Sequence, residues 1–207
     1  MSDAQASGSQ QHYSMADLLR IMQRLRDPES GCPWDLKQDF ASIVPYTLEE
    51  CYELADAIGQ NDLPHIADEL GDVLFQVVFY SQLGSEQGAF DFSSVVDGIA
   101  CKLLRRHPHV FADGEVEGRV TQAVTTEQVK KRWEAIKQEE RAERAGTERG
   151  ILDDVPHALP ALSRAQKLQK RAAGVGFDWP DSEGVMTKLE EELAELKSAL
   201  DAGSSDA

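Results

Sequence analysis

Apolar residues recur along the chain at steps of three and four, and strictly alternating apolar and polar positions are hard to find. Steps of three and four place side chains on one face of an α-helix, whereas strict alternation is typical of a half-buried strand. The pattern therefore predicts an all-α fold, a helical bundle without strands. Residues 1–12 are mostly small and polar, and we expect them to be a disordered tail.

Capping residues indicate where the helices begin. Ser14, with Asp17 three residues later, predicts the first helix. A turn-rich connector is then expected to run to Pro45, after which Thr47 and Glu50 fit a capping box for the second helix. Three more helices are predicted from Asn61 or Asp62 to beyond Leu83, from Asp91 to Arg106, and from Thr125 or Thr126 to Arg144.

The sequence repeats part of itself beyond residue 150. The stretch from Glu49 to Glu53 is echoed by the stretch from Glu191 to Glu195, at an offset of 142 residues. No counterpart of the third helix follows Glu195 in the sequence. Because a repeat of this kind indicates a duplicated structural unit, we expect residues 13–150 to form a complete helical module and residues 151–207 to be the start of a second, incomplete one.

Composition narrows the classes of function. The chain has 21 lysines and arginines against 37 aspartates and glutamates, a net charge of −16, which argues against a nucleic-acid partner bound through its phosphates. Three cysteines without a Cys-x-x-Cys motif argue against a disulfide scaffold or a thiolate zinc site. Since no apolar run approaches the roughly 20 residues that cross a bilayer, we expect no membrane partner and a cytoplasmic location.

Two predicted helices each carry acids three residues apart, Glu50 with Glu53 and Glu69 with Asp72. Residues at this spacing share one face of a helix. If the two helices pack antiparallel, all four carboxylates point into one gap and offer oxygen ligands suited to Mg²⁺ or Mn²⁺. The alternative is a solvated acidic face, in which Glu50 only closes a capping box.

The position of the second pair favours the metal. Glu69 and Asp72 come directly before the apolar stretch from Val73 to Tyr80, and charges near a core are costly unless they are paired or metal-bound. Residues 39–98 contain neither lysine nor arginine. A divalent cation is therefore the simplest way to neutralise these acids.

The run Glu49-Glu50-x-x-Glu53, followed by Glu69-x-x-Asp72, resembles the acidic motif of the MazG family of all-α nucleoside triphosphate pyrophosphohydrolases. This resemblance implies hydrolysis between the α and β phosphates, which releases a nucleoside monophosphate and pyrophosphate. It also implies that Glu50, Glu53, Glu69 and Asp72 bind Mg²⁺ or Mn²⁺. Glu49, one residue round the helix, is the candidate for orienting or deprotonating the attacking water; the alternative is that it shares a metal. The blocks that extend the resemblance are Leu19–Asp35, Tyr46–Ile58, Glu69–Tyr80, Arg105–Phe111, Trp133 with Lys137, and Leu159–Trp179.

Basic residues on the fourth predicted helix are candidates for binding phosphates. Lys102, Arg105 and Arg106 cluster there, and Lys102 and Arg106 share a face at i and i+4. The alternative for this cluster is charge pairing with the acidic surface. Trp133 and Lys137 repeat the i, i+4 spacing, and the family resemblance suggests that they close on the nucleotide; plain core packing is the alternative for Trp133.

The apolar stretch from Val73 to Tyr80 is more than a small two-helix unit can cover, so we expect a second subunit to complete the bundle, in a homodimer or a higher homo-oligomer. Two other functions stay open. One is a non-catalytic all-α module that binds a nucleotide or a partner protein. The other is a narrower all-α enzyme, such as a deoxyuridine triphosphatase or a phosphoribosyl-ATP pyrophosphohydrolase.

Overall fold

The computed structural model describes residues 12–119, 124–145, 150–153 and 155–201. Within these ranges the chain is helical without strands, so the predicted all-α fold is confirmed. The expected tail lies outside the described residues, apart from residue 12. None of the described helices has both the length and the apolar character needed to cross a bilayer. The helices are α1 (Met15–Leu25), α2 (Phe40–Gln60), α3 (Leu63–Glu86), α4 (Phe92–Arg106), α5 (Thr126–Ala145), α6 (Ala161–Ala173) and α7 (Ser182–Asp201).

Four of the predicted helix starts are confirmed by their capping hydrogen bonds. Ser14 and Asp17 form a reciprocal capping box at the start of α1. Asp62 accepts a hydrogen bond from the backbone N–H of His65 at the start of α3, and Asp91 caps α4 in the same way. Thr125 accepts from the backbone N–H of Gln128 at the start of α5. Each bond satisfies one of the N–H groups that a helix leaves without an internal partner.

The predicted start of α2 is wrong. The helix begins seven residues before Thr47, at Phe40, where Asp39 and Ser42 form the capping box. Pro45 lies inside the helix and removes only one hydrogen bond, close to the end that the Asp39 cap already stabilises. Thr47 instead donates its hydroxyl to the carbonyl of Ile43, at 3.1 Å. Glu50 is therefore in the interior of α2, and its role as part of a cap is excluded.

The core of the first part of the chain lies between α1, α2 and α3. Its five buried members are Met22 from α1, Ile43 from α2, and Val78, Phe79 and Leu83 from α3. A polar contact joins α2 and α3 beside this core: the hydroxyl groups of Thr47 on α2 and Tyr80 on α3 are 2.9 Å apart. This packing holds the α2–α3 pair in one register.

The apolar stretch of α3 is not buried all round within the single chain. Val78 and Phe79 are fully buried, but Val77 is 37% exposed and Leu70, seven residues earlier, is 52% exposed. Positions seven apart lie on nearly the same face of a helix. One apolar face of α3 therefore stays open to solvent in the single chain.

The chain folds as two compact units, Met1–Trp133 and Glu134–Ala207. In the second unit, α7 begins at Ser182, 142 positions after the start of α2. Asp181 accepts from the backbone N–H of Gly184, as Asp39 accepts from that of Ser42. The aspartate half of the α2 capping box thus recurs in α7, while the expected modules, 13–150 and 151–207, stay a prediction.

Candidate metal centre

The acidic residues are positioned by the tight link between α2 and α3. Asn61 ends α2 in the left-handed conformation, with φ of 57°, and Asp62 caps α3 immediately afterwards. Asparagine adopts this conformation more readily than most residues. Such a short link returns the chain antiparallel to itself, which brings Glu50 on α2 opposite Asp72 on α3.

Three of the four predicted ligands come together. One carboxylate oxygen from each of Glu50, Glu69 and Asp72 lies within 4.8 Å of the other two. Glu53 is not in this group, and its side chain and that of Glu49 are exposed. We refer to Glu50, Glu69 and Asp72 as the carboxylate group.

Electrostatics within this group disfavour the charged form of Glu50. Burial raises the pKa of Glu50 first, and repulsion from Asp72, Glu53, Glu69 and Glu49 raises it further. Glu53 and Glu49 are therefore close enough to act on Glu50, although they lie outside the carboxylate group. A cation placed among these acids would relieve the repulsion.

Glu69 provides a separate indication of a cation. The residue is only 8% exposed, and its Oε1 is 2.8 Å from Nε2 of His65. Its Oε2 is buried and has no hydrogen-bond partner among the described residues. Leaving a buried carboxylate oxygen unpaired is costly, and an ion bound among three carboxylates would pair it. Oxygen donors of this kind fit a hard divalent cation such as Mg²⁺.

The contact between His65 and Glu69 was not predicted from the sequence. The two residues are four positions apart on α3, a spacing at which side chains meet on a helix surface. That spacing is the only sequence feature that points to the contact, and it is common on ordinary helix surfaces.

The predicted phosphate and nucleotide contacts lie on α4 and α5. Lys102 and Arg106 are half-buried on α4, and Arg105 is exposed there. The indole ring of Trp133 packs against the imidazole of His107, with 6.4 Å between ring centroids, and remains 40% exposed. Trp133 is thus partly packed, and this partial packing is in line with the packing alternative. Lys137 lies one turn further along α5, in the second unit. Substrate binding by these five residues stays a prediction.

Together, the fold and the site define an all-α protein with a carboxylate-rich centre between two antiparallel helices. The sequence model of the MazG nucleotide pyrophosphohydrolase domain matches residues 38–111, which include α2, α3 and α4. The chain is 45% identical over 185 residues to the nucleoside triphosphate pyrophosphohydrolase/pyrophosphatase MazG of Thermotoga maritima, covering 89% of this chain and 67% of that protein. The chain belongs to the MazG family.

A second curated relative agrees with this assignment. The nucleoside triphosphate pyrophosphohydrolase of Escherichia coli (strain K12) is 55% identical over 179 residues, which are 86% of this chain and 65% of the relative. The chain thus spans about two thirds of the length of these curated relatives. The crystal structure of a mazG-related protein from Thermotoga maritima aligns with 59% of this chain and 98% of its own, with a TM-score of 0.48 and 25% identity.

Proposed function

We propose that the chain hydrolyses nucleoside triphosphates to the nucleoside monophosphate and pyrophosphate, with a divalent cation held by Glu50, Glu69 and Asp72. The observation that carries the proposal is the buried Glu69 oxygen without a partner, beside two further carboxylates. Relatives that share about half of their aligned residues with the chain are named for this activity. The proposed cation is Mg²⁺, with Mn²⁺ as a substitute.

The net charge supports a cation-dependent reaction. A chain with a charge of −16 repels a polyphosphate, and a bound divalent cation supplies the positive charge that lets phosphate and carboxylate oxygens approach each other. Glu53 is the proposed fourth ligand, because it is close enough to raise the pKa of Glu50. Exposed Glu49, next to Glu50, is proposed to orient the attacking water or to take its proton.

The basic residues of α4 are proposed to bind the phosphate oxygens. Lys102 and Arg106 lie one turn apart on a described helix, so their charged groups share a face; Arg105 lies beside them. Trp133 and Lys137 on α5 are proposed to contact the nucleotide. The proposed compartment is the cytoplasm.

We also propose that the active protein is a homodimer or a higher homo-oligomer. The support is the exposed apolar face of α3 at Leu70 and Val77, together with the exposed Ile99 and Leu103 on α4. Each pair lies on one face of its own helix, and exposed apolar faces of this kind mark association surfaces. Light scattering at micromolar concentration should show at least a dimer, and a monodisperse monomer would refute this proposal.

The experiment for the activity is pyrophosphate release from a panel of ribo- and deoxyribonucleoside triphosphates, with Mg²⁺ and with EDTA. The Asp72→Ala and Glu53→Ala variants should lose release with every substrate. The Glu195→Ala variant is the matched control, because Glu195 stands 142 positions after Glu53 in α7 and should retain activity.

The panel also separates the two alternatives. A non-catalytic module would bind nucleotides without releasing pyrophosphate from any of them. A deoxyuridine triphosphatase would release it from dUTP alone, and a phosphoribosyl-ATP pyrophosphohydrolase only from phosphoribosyl-ATP, which is therefore added to the panel. Turnover that persists in the Asp72→Ala variant would refute the proposed site.

A further inference from the structure

The two oxygens of the Glu69 carboxylate have different surroundings. Oε1 is 2.8 Å from Nε2 of His65, which lies one turn earlier on α3. Oε2 is buried and unpartnered among the described residues. The His65 side chain is 41% exposed, whereas that of Glu69 is 10% exposed. The imidazole therefore reaches from the surface of the helix to one side of a buried carboxylate.

We propose that His65 is a positioning residue for the cation. By donating from Nε2 to Glu69 Oε1, it holds the carboxylate in one orientation and leaves Oε2 to bind the ion. The inference rests on the proposed function, since it requires Glu69 to be a cation ligand. A neutral imidazole is sufficient, because its protonated nitrogen is a hydrogen-bond donor.

The physical basis is the freedom of a glutamate side chain. Its rotatable bonds give it several orientations, and restricting them on binding an ion costs free energy. A hydrogen bond made before the ion arrives reduces that cost. Hydrogen-bond partners of ligating carboxylates typically contribute about 10–100-fold to metal affinity. The role of His65 should therefore appear in cation binding itself.

A purely structural contact would behave differently. An i, i+4 pair on a helix makes a small contribution to helix stability and has no effect on a distant cation. The same helix contains such a pair, since the amide of Gln82 donates to Glu86 Oε1 at 2.9 Å, also at i, i+4. Gln82→Ala is therefore the matched control for His65→Ala.

The experiment is Mn²⁺ binding to the full chain without nucleotide, followed by the paramagnetic resonance signal of free Mn²⁺. In His65→Gln, the amide nitrogen is as many bonds from the backbone as Nε2 of histidine, so a donor to Glu69 is retained. In His65→Asn, the amide nitrogen is only as far from the backbone as Nδ1 of histidine, so the donor is not at the position of Nε2. We expect the Ala and Asn variants of His65 to bind Mn²⁺ about 10–100-fold more weakly than the wild type. The Mn²⁺ affinity of the Gln variant should stay within about threefold of the wild type, because it retains the donor. Gln82→Ala should bind as the wild type does.

Activity provides a second readout. The His65→Ala variant should need a higher Mg²⁺ concentration for half-maximal rate but reach a similar kcat when Mg²⁺ is saturating. If His65→Ala does not fold, as judged by thermal unfolding in EDTA, the comparison of Gln with Asn decides the question.

Wild-type Mn²⁺ affinity in His65→Ala, or equal loss in the Gln and Asn variants, would overturn the proposal. Glu69→Gln separates this failure from failure of the proposed function. If Glu69→Gln binds Mn²⁺ as the wild type does, both proposals are overturned. If it loses Mn²⁺ while His65→Ala does not, only the positioning role is overturned.

Discussion

Arg26, directly after α1, forms two hydrogen bonds with Glu86, the last residue of α3: Nε to Oε1 at 2.7 Å and Nη2 to Oε2 at 2.6 Å. Two-point contacts between a guanidinium and a carboxylate are among the stronger side-chain interactions. The Arg26 side chain is only 7% exposed and also donates to the backbone carbonyls of Asp35 and Gln38. Arg26 thereby joins α1, the connector and α3.

Glu86→Gln should lower the free energy of unfolding by about 1–3 kcal/mol at pH 7, because it removes the charge that faces a buried guanidinium. Chemical denaturation with urea measures this change. Glu29→Gln, in the exposed part of the connector, is the control and should stay within about 0.5 kcal/mol of the wild type. Equal stability of the two variants would contradict this role for Arg26.

The effect of Glu86→Gln should depend on pH. Hydrogen bonds from Arg26 lower the pKa of Glu86 below its ordinary value of 4.5. A carboxyl with a lowered pKa stabilises the folded state above its unfolded pKa, and this contribution is lost as pH falls through the folded pKa. The stability difference between wild type and variant should therefore be constant near neutrality and shrink below about pH 4.5. Urea titrations between pH 3 and 7 test this, and a difference independent of pH would contradict it.

Glu50→Gln should stabilise the metal-free protein and weaken its response to Mg²⁺. The pKa of Glu50 is raised by burial and by neighbouring acids, so its charge disfavours the folded state at pH 7, and this penalty fades as pH falls through the raised pKa. Removing the repulsion from Glu53 alone should gain about 0.2–0.5 kcal/mol. Saturating Mg²⁺ should stabilise the wild type by about 2.7 kcal/mol at 100 times Kd.

The order of stability of these two proteins should thus reverse between EDTA and Mg²⁺, as measured by denaturation in each buffer. Glu192→Gln, at the matching position of α7, is the control and should leave the response to Mg²⁺ unchanged. An equal response to Mg²⁺ in the wild type and Glu50→Gln would remove Glu50 from the proposed ligands.

Asp39→Ala should destabilise the protein by about 0.5–2 kcal/mol, because the N-terminus of α2 loses its capping side chain. Asp39→Asn should retain most of the stability, since asparagine caps helices as well as aspartate does. Thermal or urea unfolding distinguishes the two variants. If both variants were as stable as the wild type, the cap would make no measurable contribution to the free energy of unfolding.

The sequence was sufficient to predict helices that begin at a short polar side chain just before an apolar stretch, as at Ser14, Asp62 and Asp91. It misplaces the start of α2, because a proline after a turn-rich stretch favours the end of a connector at Pro45. The Asp39 box further upstream decides where this helix begins, and one proline near a capped end removes only one hydrogen bond.

The sequence also predicted part of the candidate site and missed part of it. The i, i+3 spacing predicted that Glu50, Glu69 and Asp72 would meet, since two antiparallel helices bring such faces together. It did not predict that Glu53 would lie outside the carboxylate group or that His65 would hold Glu69. Both depend on side-chain orientation, which residue spacing does not determine.

The aspartate cap that α2 and α7 share gives the chain an internal comparison between two glutamate pairs at matching positions, Glu49 with Glu50 and Glu191 with Glu192. In α7, Nζ of Lys188 is 2.9 Å from Glu191 and 3.2 Å from Glu192. The residue 142 positions earlier is Tyr46, and the acids that follow it are Glu49 and Glu50. A lysine at position 46 would stand three and four residues before Glu49 and Glu50, a spacing at which side chains meet on a helix surface. One position thus separates the glutamate pair of α7, which a lysine of its own helix neutralises, from the pair of α2, which has no lysine at that position.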